Sequence, residues 1–103
     1  MTESCPYPLE SETAQRLAEI FRALADPTRL RLIAEMMHHG RATVHQLASA
    51  VGVSISAVSH QLRTLRQLRL VRAQRMGRHV WYSLDDDHVA ALYCMGLDHV
   101  LHG

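Results

Sequence analysis

Residues 43–68 read TVHQLASAVGVSISAVSHQLRTLRQL. Thr43 and Gln46 form the T-x-x-Q pattern of a capping box: the hydroxyl takes the Gln46 backbone N–H and the glutamine side chain reaches back to the Thr43 N–H. The box opens a short helix whose apolar positions are Leu47, Ala48 and Val51. Gly52 follows at the position where a left-handed residue ends a helix. Ser54 can then cap a longer helix running to about Leu68. A short helix, a tight glycine turn and a longer helix predict a helix-turn-helix. In the longer helix Val58, Leu62 and Leu65 share one face and Ser56, His60, Arg63 and Gln67 the opposite one. With Ser59 and Gln61 beside them, these are candidate DNA contacts, because hydroxyls, imidazole, guanidinium and amides reach base edges or phosphates.

Downstream, Leu70–Met76 and Arg78–Leu84 predict two strands around Gly77, since Val80, Tyr82 and Leu84 alternate among β-branched and aromatic residues. A hairpin directly after a recognition helix reads as a wing. Arg72, Arg75 and Arg78 place positive charge on it, and Arg75 and Arg78 join the candidate DNA contacts. Trp81 reads as a packing residue, a single aromatic being weak evidence for base stacking.

Upstream, Ser11 is placed to cap a first helix reaching about Ala25, with Ala14, Leu17, Ala18, Phe21 and Leu24 at helical spacing. Asp26-Pro27 is an N-cap acid followed by proline in the first helical position. It opens a second helix that turns Leu30, Ile33, Met36 and Met37 inward and stops at Gly40. Pro6 and Pro8 disfavour helix before this. The expected organisation is a flexible arm over residues 1–10 and one winged-helix DNA-binding and dimerisation domain over residues 11–103. Its fold class is mainly α with a β-hairpin wing.

Charge supports the nucleic-acid reading. The chain has 103 residues and a net charge of +1, and every basic residue among its eleven Lys and Arg is arginine. From Arg41 to Leu84 there are seven arginines and no acid. Ordinary surfaces mix both signs, so an acid-free basic stretch inside a folded domain points to a polyanion, most simply nucleic acid; with the helix-turn-helix, the expected partner is double-stranded operator DNA. The N-terminus MTESCPYPLESE is acidic and lacks the pattern of a secretory signal, and no apolar run approaches the length of a membrane span. Cys5 and Cys94 make no disulfide framework. A cytoplasmic protein with reduced thiols is expected.

The closing stretch, Asp85–His102, reads DDDHVAALYCMGLDHVLH. His88 and His99 are eleven residues apart, close to three turns, so both rings leave one face; His102 joins them, and Leu92 and Met95 complete the face. The two histidines are nonetheless about 16 Å apart along the axis at 1.5 Å per residue. Metal–nitrogen bonds are only about 2.0–2.1 Å long, so one straight helix cannot bring both to one ion. Two copies packed antiparallel can, giving two equal sites about a two-fold axis near residue 94. Asp86 is off the face of an ideal helix and contributes only from a capping position; a neighbouring aspartate is the alternative carboxylate. Asp86, His88, His99 and His102 form an Asp-His-His-His set suited to tetrahedral Zn(II), with Co(II) able to occupy the same tetrahedron. Ni(II) would call for further ligands, from the N-terminal arm or the carboxylate of Gly103. Structural roles compete with this reading: aspartates suit a helix start and histidines its end. Four filled ligands leave no open position for catalysis, and no nucleophile–base set is present, so neither an enzyme nor a small organic substrate is expected.

ALADPTRLRLI (23–33), SAVSHQLRTLRQLRLV (56–71) and GRHVWYSL (77–84) resemble the ArsR/SmtB family of bacterial metal-responsive repressors. The resemblance spans about residues 14–102. It implies a homodimer through the first and last helices that binds operator DNA in the metal-free form and leaves it on binding metal. The Asp86-x-His88-x10-His99-x2-His102 pattern is similar to the family's C-terminal-helix site, shared between subunits, and most like that of zinc- and cobalt-responsive members. A second family site uses cysteines at the start of the third helix. Here that stretch is Ala42-Thr43-Val44-His45-Gln46, without a thiol, which argues against arsenic, cadmium or lead sensing there. Cys5 is then a bystander. Cys94, about 120° from the histidine face, is expected in the core; a redox signal through it is the remaining alternative and would want a paired thiol.

Overall fold

The computed structural model describes residues 8–103. Their elements run α1 (Ser11–Leu24), α2 (Pro27–His39), α3 (Val44–Val51), α4 (Ile55–Gln67), β1 (Val71–Met76), β2 (His79–Leu84) and α5 (Asp87–His102). The mainly helical architecture with one antiparallel hairpin is the one expected. Residues 1–7, which include Cys5 and most of the expected arm, lie outside the described residues.

The helix-turn-helix forms for the local reasons its sequence states. The Thr43 hydroxyl accepts from the Gln46 N–H at 3.2 Å, and the Gln46 side chain accepts from the Thr43 N–H at 3.0 Å. Gly52 ends α3 at φ 80°, ψ 32°, a left-handed conformation that glycine adopts without a Cβ penalty. The Ser54 hydroxyl caps α4 by accepting from Ala57 N at 3.0 Å. Val58, Leu62 and Leu65 are fully buried against Leu32, Ile33, Met36 and Leu47. That single apolar cluster fixes which side of α4 faces solvent.

The end of α4 carries a feature with an unusual residue in it. The Arg69 N–H donates to the Arg66 carbonyl and the Leu70 N–H to the Leu65 carbonyl, each at 2.9 Å. This is the paired bonding of a Schellman cap, with Leu70 and Leu65 buried against each other's turn. Its left-handed position holds Arg69, at φ 60°, where glycine is usual. Leu70, expected in the first strand, is therefore taken up by the cap, and β1 begins one residue later.

The wing pairs Val71 with Leu84 through Met76 with His79, leaving Gly77-Arg78 as a two-residue turn. Gly77 supplies the positive φ of 66° that such tight turns require. The wing is also sewn to the body. Ala42 N donates to Tyr82 O at 2.9 Å and Tyr82 N to Ala42 O at 2.8 Å, so the α2–α3 connection adds one rung to β2. At its base Asp85 N donates to Leu70 O at 3.0 Å.

Four other expectations are corrected. Helix α1 starts one residue early: Glu10 is the N-cap, its carbonyl accepting from Ala14 N at 2.8 Å, so Ser11 is already helical and caps nothing. In α2 the core takes Leu32 rather than Leu30, which is only half-buried, because α3 and β2 press on the side that carries residues 32, 33 and 36. Helix α5 begins at Asp87, since Asp86 has extended backbone (φ −157°, ψ −178°). Cys94 is exposed rather than in the core. Only the first half of α5 packs on the body: Val89 is buried and Tyr93 half-buried against the core, whereas Met95 is 73 % and Val100 79 % exposed. With Leu92, Leu97 and Leu101, and with Leu17 and Phe21 on α1, the described chain leaves a broad apolar surface uncovered.

The left-handed Arg69 defines a stability test. Arg69→Gly is expected to raise the unfolding free energy by about 1 kcal/mol, the cost of holding a side chain in that conformation. Urea denaturation followed by circular dichroism checks it; no gain would mean that the cap holds Arg69 without strain.

Candidate nucleic-acid interface and metal centre

With its apolar face fixed in the core, α4 presents Ser56, Ser59, His60, Arg63 and Gln67 to solvent, and Arg66 with them. Arg75 and Arg78 are exposed toward the hairpin tip. Leaving Arg66 aside, the structure thus carries seven of the candidate contacts on two adjacent elements, α4 and the wing, within a stretch that contains no carboxylate.

Other polar groups of this region are already engaged. Gln61 is half-buried, and its side-chain oxygen accepts from Arg29 Nε at 2.6 Å. Arg72 Nε donates across the hairpin to Ser83 Oγ at 3.4 Å. The Arg41 guanidinium lies 4.6 Å from the centroid of the Trp81 ring and 3.0 Å from Met76 Sδ. Trp81 is thus a packing residue, as its sequence context suggested, covered by a cation on its face. Sequence reading missed the Arg29–Gln61 and Arg41–Trp81 pairs. The one available signal for the first is an arginine on the first turn of a helix whose neighbours are apolar.

The metal-ligand candidates divide between the two ends of α5. Asp86 is the N-cap, the position from which sequence geometry allowed it to contribute. Its Oδ1 accepts from His88 N at 2.9 Å and Val89 N at 3.4 Å, and its Oδ2 lies 3.4 Å from His88 Nδ1. The hydrogen bond from the His88 side chain, opposed by slight desolvation and aided by the two backbone N–H groups, holds the Asp86 carboxyl below its ordinary value near 3.8. Asp86 and His88 therefore make a two-donor corner in water, the His88 side chain being 93 % exposed. His99 and His102 occupy the last turn, also exposed, with Gly103 N donating to His99 O at 2.8 Å. Among the described residues of one chain, no three His, Cys, Asp or Glu side chains come together as a metal site. One chain brings together Asp86 and His88 but not His99 and His102 with them. The start of α3 offers no sulfur: Thr43 and Gln46 are occupied in the capping box.

A buried-faced short helix, a glycine turn, an exposed basic second helix and a hairpin behind it define a winged helix-turn-helix DNA-binding protein. Residues 26–73 match the family described as "Bacterial regulatory protein, arsR family". The chain is 50% identical over 95 residues to the "Transcriptional repressor SmtB homolog" of Synechocystis, covering 92% of this chain and 71% of that protein. It is 45% identical over 95 residues to the "HTH-type transcriptional regulator NmtR" of Mycobacterium tuberculosis, covering 92% of this chain and 78% of that one. Among solved structures it superposes on that of apo-NmtR with a TM-score of 0.77 at 42% identity, over 99% of this chain and 85% of that one. It superposes on the AntR antimony-specific transcriptional repressor with a TM-score of 0.82 at 34% identity, over 95% and 88%. The chain belongs to the arsR family of bacterial transcriptional regulators, which are DNA-binding proteins and not enzymes. No helix among the described residues is long and apolar enough to cross a membrane.

The depressed Asp86 carboxyl fixes a direction. Its capping contribution is fully present above the unfolded pKa, near 3.8, and is lost as the pH falls through the lower folded value. In a metal-free NMR titration the His88 and Val89 amide resonances should move together with a midpoint below 3.8. A midpoint above that value would contradict the cap.

Proposed function

We propose that this protein is a metal-responsive transcriptional repressor that acts as a homodimer in the cytoplasm. The metal-free dimer holds operator DNA through α4 and the wing, with Ser56, Ser59, His60, Arg63, Gln67, Arg75 and Arg78 as contacts. Zn(II), or Co(II), releases it. Each of two inter-subunit sites is formed by Asp86 and His88 of one protomer and by His99 and His102 of the other. One observation carries this reading: each chain keeps half of a donor set at either end of an apolar helix face that no other described residue covers. A second copy running antiparallel buries that face and completes both halves at once.

The donor chemistry suits the ion. One carboxylate and three imidazoles are the oxygen and nitrogen ligands of a closed tetrahedral zinc site. The relatives differ in the elements that their names mention: one regulator is a "Cadmium resistance transcriptional regulatory protein CadC homolog" from Staphylococcus aureus, and another is antimony-specific. Family membership therefore leaves the choice of metal to the ligands, and those here contain no thiolate. The ion supplies two charges and a fixed geometry between the paired α5 helices. The chain's own part is transmission: β2 runs into α5 through Asp85 and Asp86, so the corner at His88 adjoins the root of the wing. A coupling of about 1–3 kcal/mol per effector, the usual range, corresponds to a roughly 5–150-fold change in operator affinity.

The test is operator binding by fluorescence anisotropy, titrated separately with Zn(II), Co(II), Ni(II) and Cd(II), and equilibrium dialysis for stoichiometry. One zinc per chain is expected. His99→Ala should bind operator as the wild type does and ignore zinc; release of DNA by this variant at the wild-type zinc concentration would overturn the site. Protons compete with the ion for imidazole nitrogen, so the zinc response should weaken on acidification.

A further inference from the structure

Arg29 occupies a place that operator contact alone does not explain. It stands in the first turn of α2, and its backbone N–H donates to the capping carboxylate of Asp26 at 2.9 Å. Its side chain leaves α2 and bridges two other helices. Nη1 donates to the carbonyl of Ala23, in the last turn of α1, at 3.2 Å. Nε donates to Oε1 of Gln61, in the middle of α4, at 2.6 Å. Ala23 is buried, and both Arg29 and Gln61 are half-buried. The guanidinium is planar and its donors diverge at fixed angles, so two acceptors on different helices constrain the angle between those helices as well as their separation.

Gln61 lies next to His60 in sequence but about 100° around the helix from it. Its oxygen is committed to a cation on the protein side. Removing either partner leaves a half-buried polar group short of a hydrogen bond, and a bond to a charged group is the costlier kind to lose. Apolar packing of Val58, Leu62 and Leu65 resists separation of α4 from the core but resists sliding and rotation less, since dispersion contacts have little direction. A directional bond midway along α4 supplies that restraint.

We propose that Arg29 is a positioning residue for operator recognition: its guanidinium holds α4 at a fixed attitude to α1, and Gln61 is the receiving end of this strut rather than a base contact. This rests on the reading of α4 as the operator-reading helix. It adds a residue remote from DNA that sets selectivity. It also gives α1, which carries the uncovered Leu17 and Phe21, a direct polar link to the reading helix.

The test uses the full-length chain, free of metal, and two duplexes: one selected by the wild type from a random pool, and one of unrelated sequence. Anisotropy is measured over a range of salt for Arg29→Ala, Gln61→Ala, the double variant and Gln61→Glu, with Arg63→Ala as the reference for a lost DNA contact. A strut predicts that each alanine variant loses roughly tenfold or more on the selected duplex. Binding to the unrelated duplex and the salt slope should stay as in the wild type, because no phosphate contact is removed. The double variant should be no worse than either single one, as expected of two partners in one interaction. Gln61→Glu keeps an acceptor for the guanidinium and should retain selectivity that Gln61→Ala loses. Arg63→Ala should instead lower the salt slope or alter the preference at one base pair.

Additive losses in the double variant would overturn the strut. So would a changed base preference in Gln61→Ala alone, or a reduced salt slope in Arg29→Ala. Melting by circular dichroism identifies a variant that is simply unfolded. If Arg29→Ala is, Gln61→Ala and Gln61→Glu still decide the matter through base preference and rescue. A wild type that selects no sequence from the pool would overturn the operator reading, and the strut with it; selection by the wild type with additive variants would overturn the strut alone.

Discussion

An α-helix advances about 1.5 Å per residue, and that rise governs what α5 can do. His88 and His99 leave one face but stand about 16 Å apart on it, several times the span of any metal–ligand shell. The distance cannot be relaxed by rotamers or by bending at the helix end. Donors spaced this way meet at one point only when a second copy lies alongside. The exposed Leu92 and Met95, on the same face as the two histidines, fit the same constraint. An apolar face that lies open on one chain is an incomplete surface, since monomeric proteins rarely leave large contiguous apolar patches in water.

The DNA-reading half of the molecule obeys a different economy. Its affinity for a polyanion comes from arginines held on rigid elements, and its geometry from a small apolar cluster under α4. Val58, Leu62 and Leu65 on one side of that helix leave the polar residues no choice of direction. No carboxylate from Arg41 to Leu84 offsets the arginines of α4 and the wing. Two of the arginines nearby are engaged within the chain: Arg41 covers Trp81, and Arg72 braces the hairpin through Ser83. Positive charge on a basic surface is therefore not uniform in purpose.

Local chemistry was readable in the sequence wherever a feature is decided by neighbours along the chain. The capping box at Thr43 and Gln46, the Asp26-Pro27 start, the left-handed Gly52 and the tight turn at Gly77 all belong to that kind. So does the spacing that puts His88 and His99 on one side of α5. What sequence order did not disclose was decided by partners far away in the chain. Leu32 replaced Leu30 in the core because α3 and β2 approach α2 from one side. Leu70 left the strand because a Schellman cap claimed it. The angle of Cys94 alone makes it an inward residue, but burial needs a neighbour, and α5 meets the body through Val89 and Tyr93 and not through the adjoining Cys94. Gln61 has the same polar character as the candidate contacts beside it, yet Arg29, thirty-two positions earlier, holds its side chain.

The rungs between Ala42 and Tyr82 make the hairpin part of the helical body rather than a flap upon it. Asp85, bonded to Leu70 at the hairpin's root, is followed at once by the Asp86 cap of α5. The end of α4, the hairpin and the start of α5 are thus riveted into a single plate by backbone hydrogen bonds, with no free linker between them.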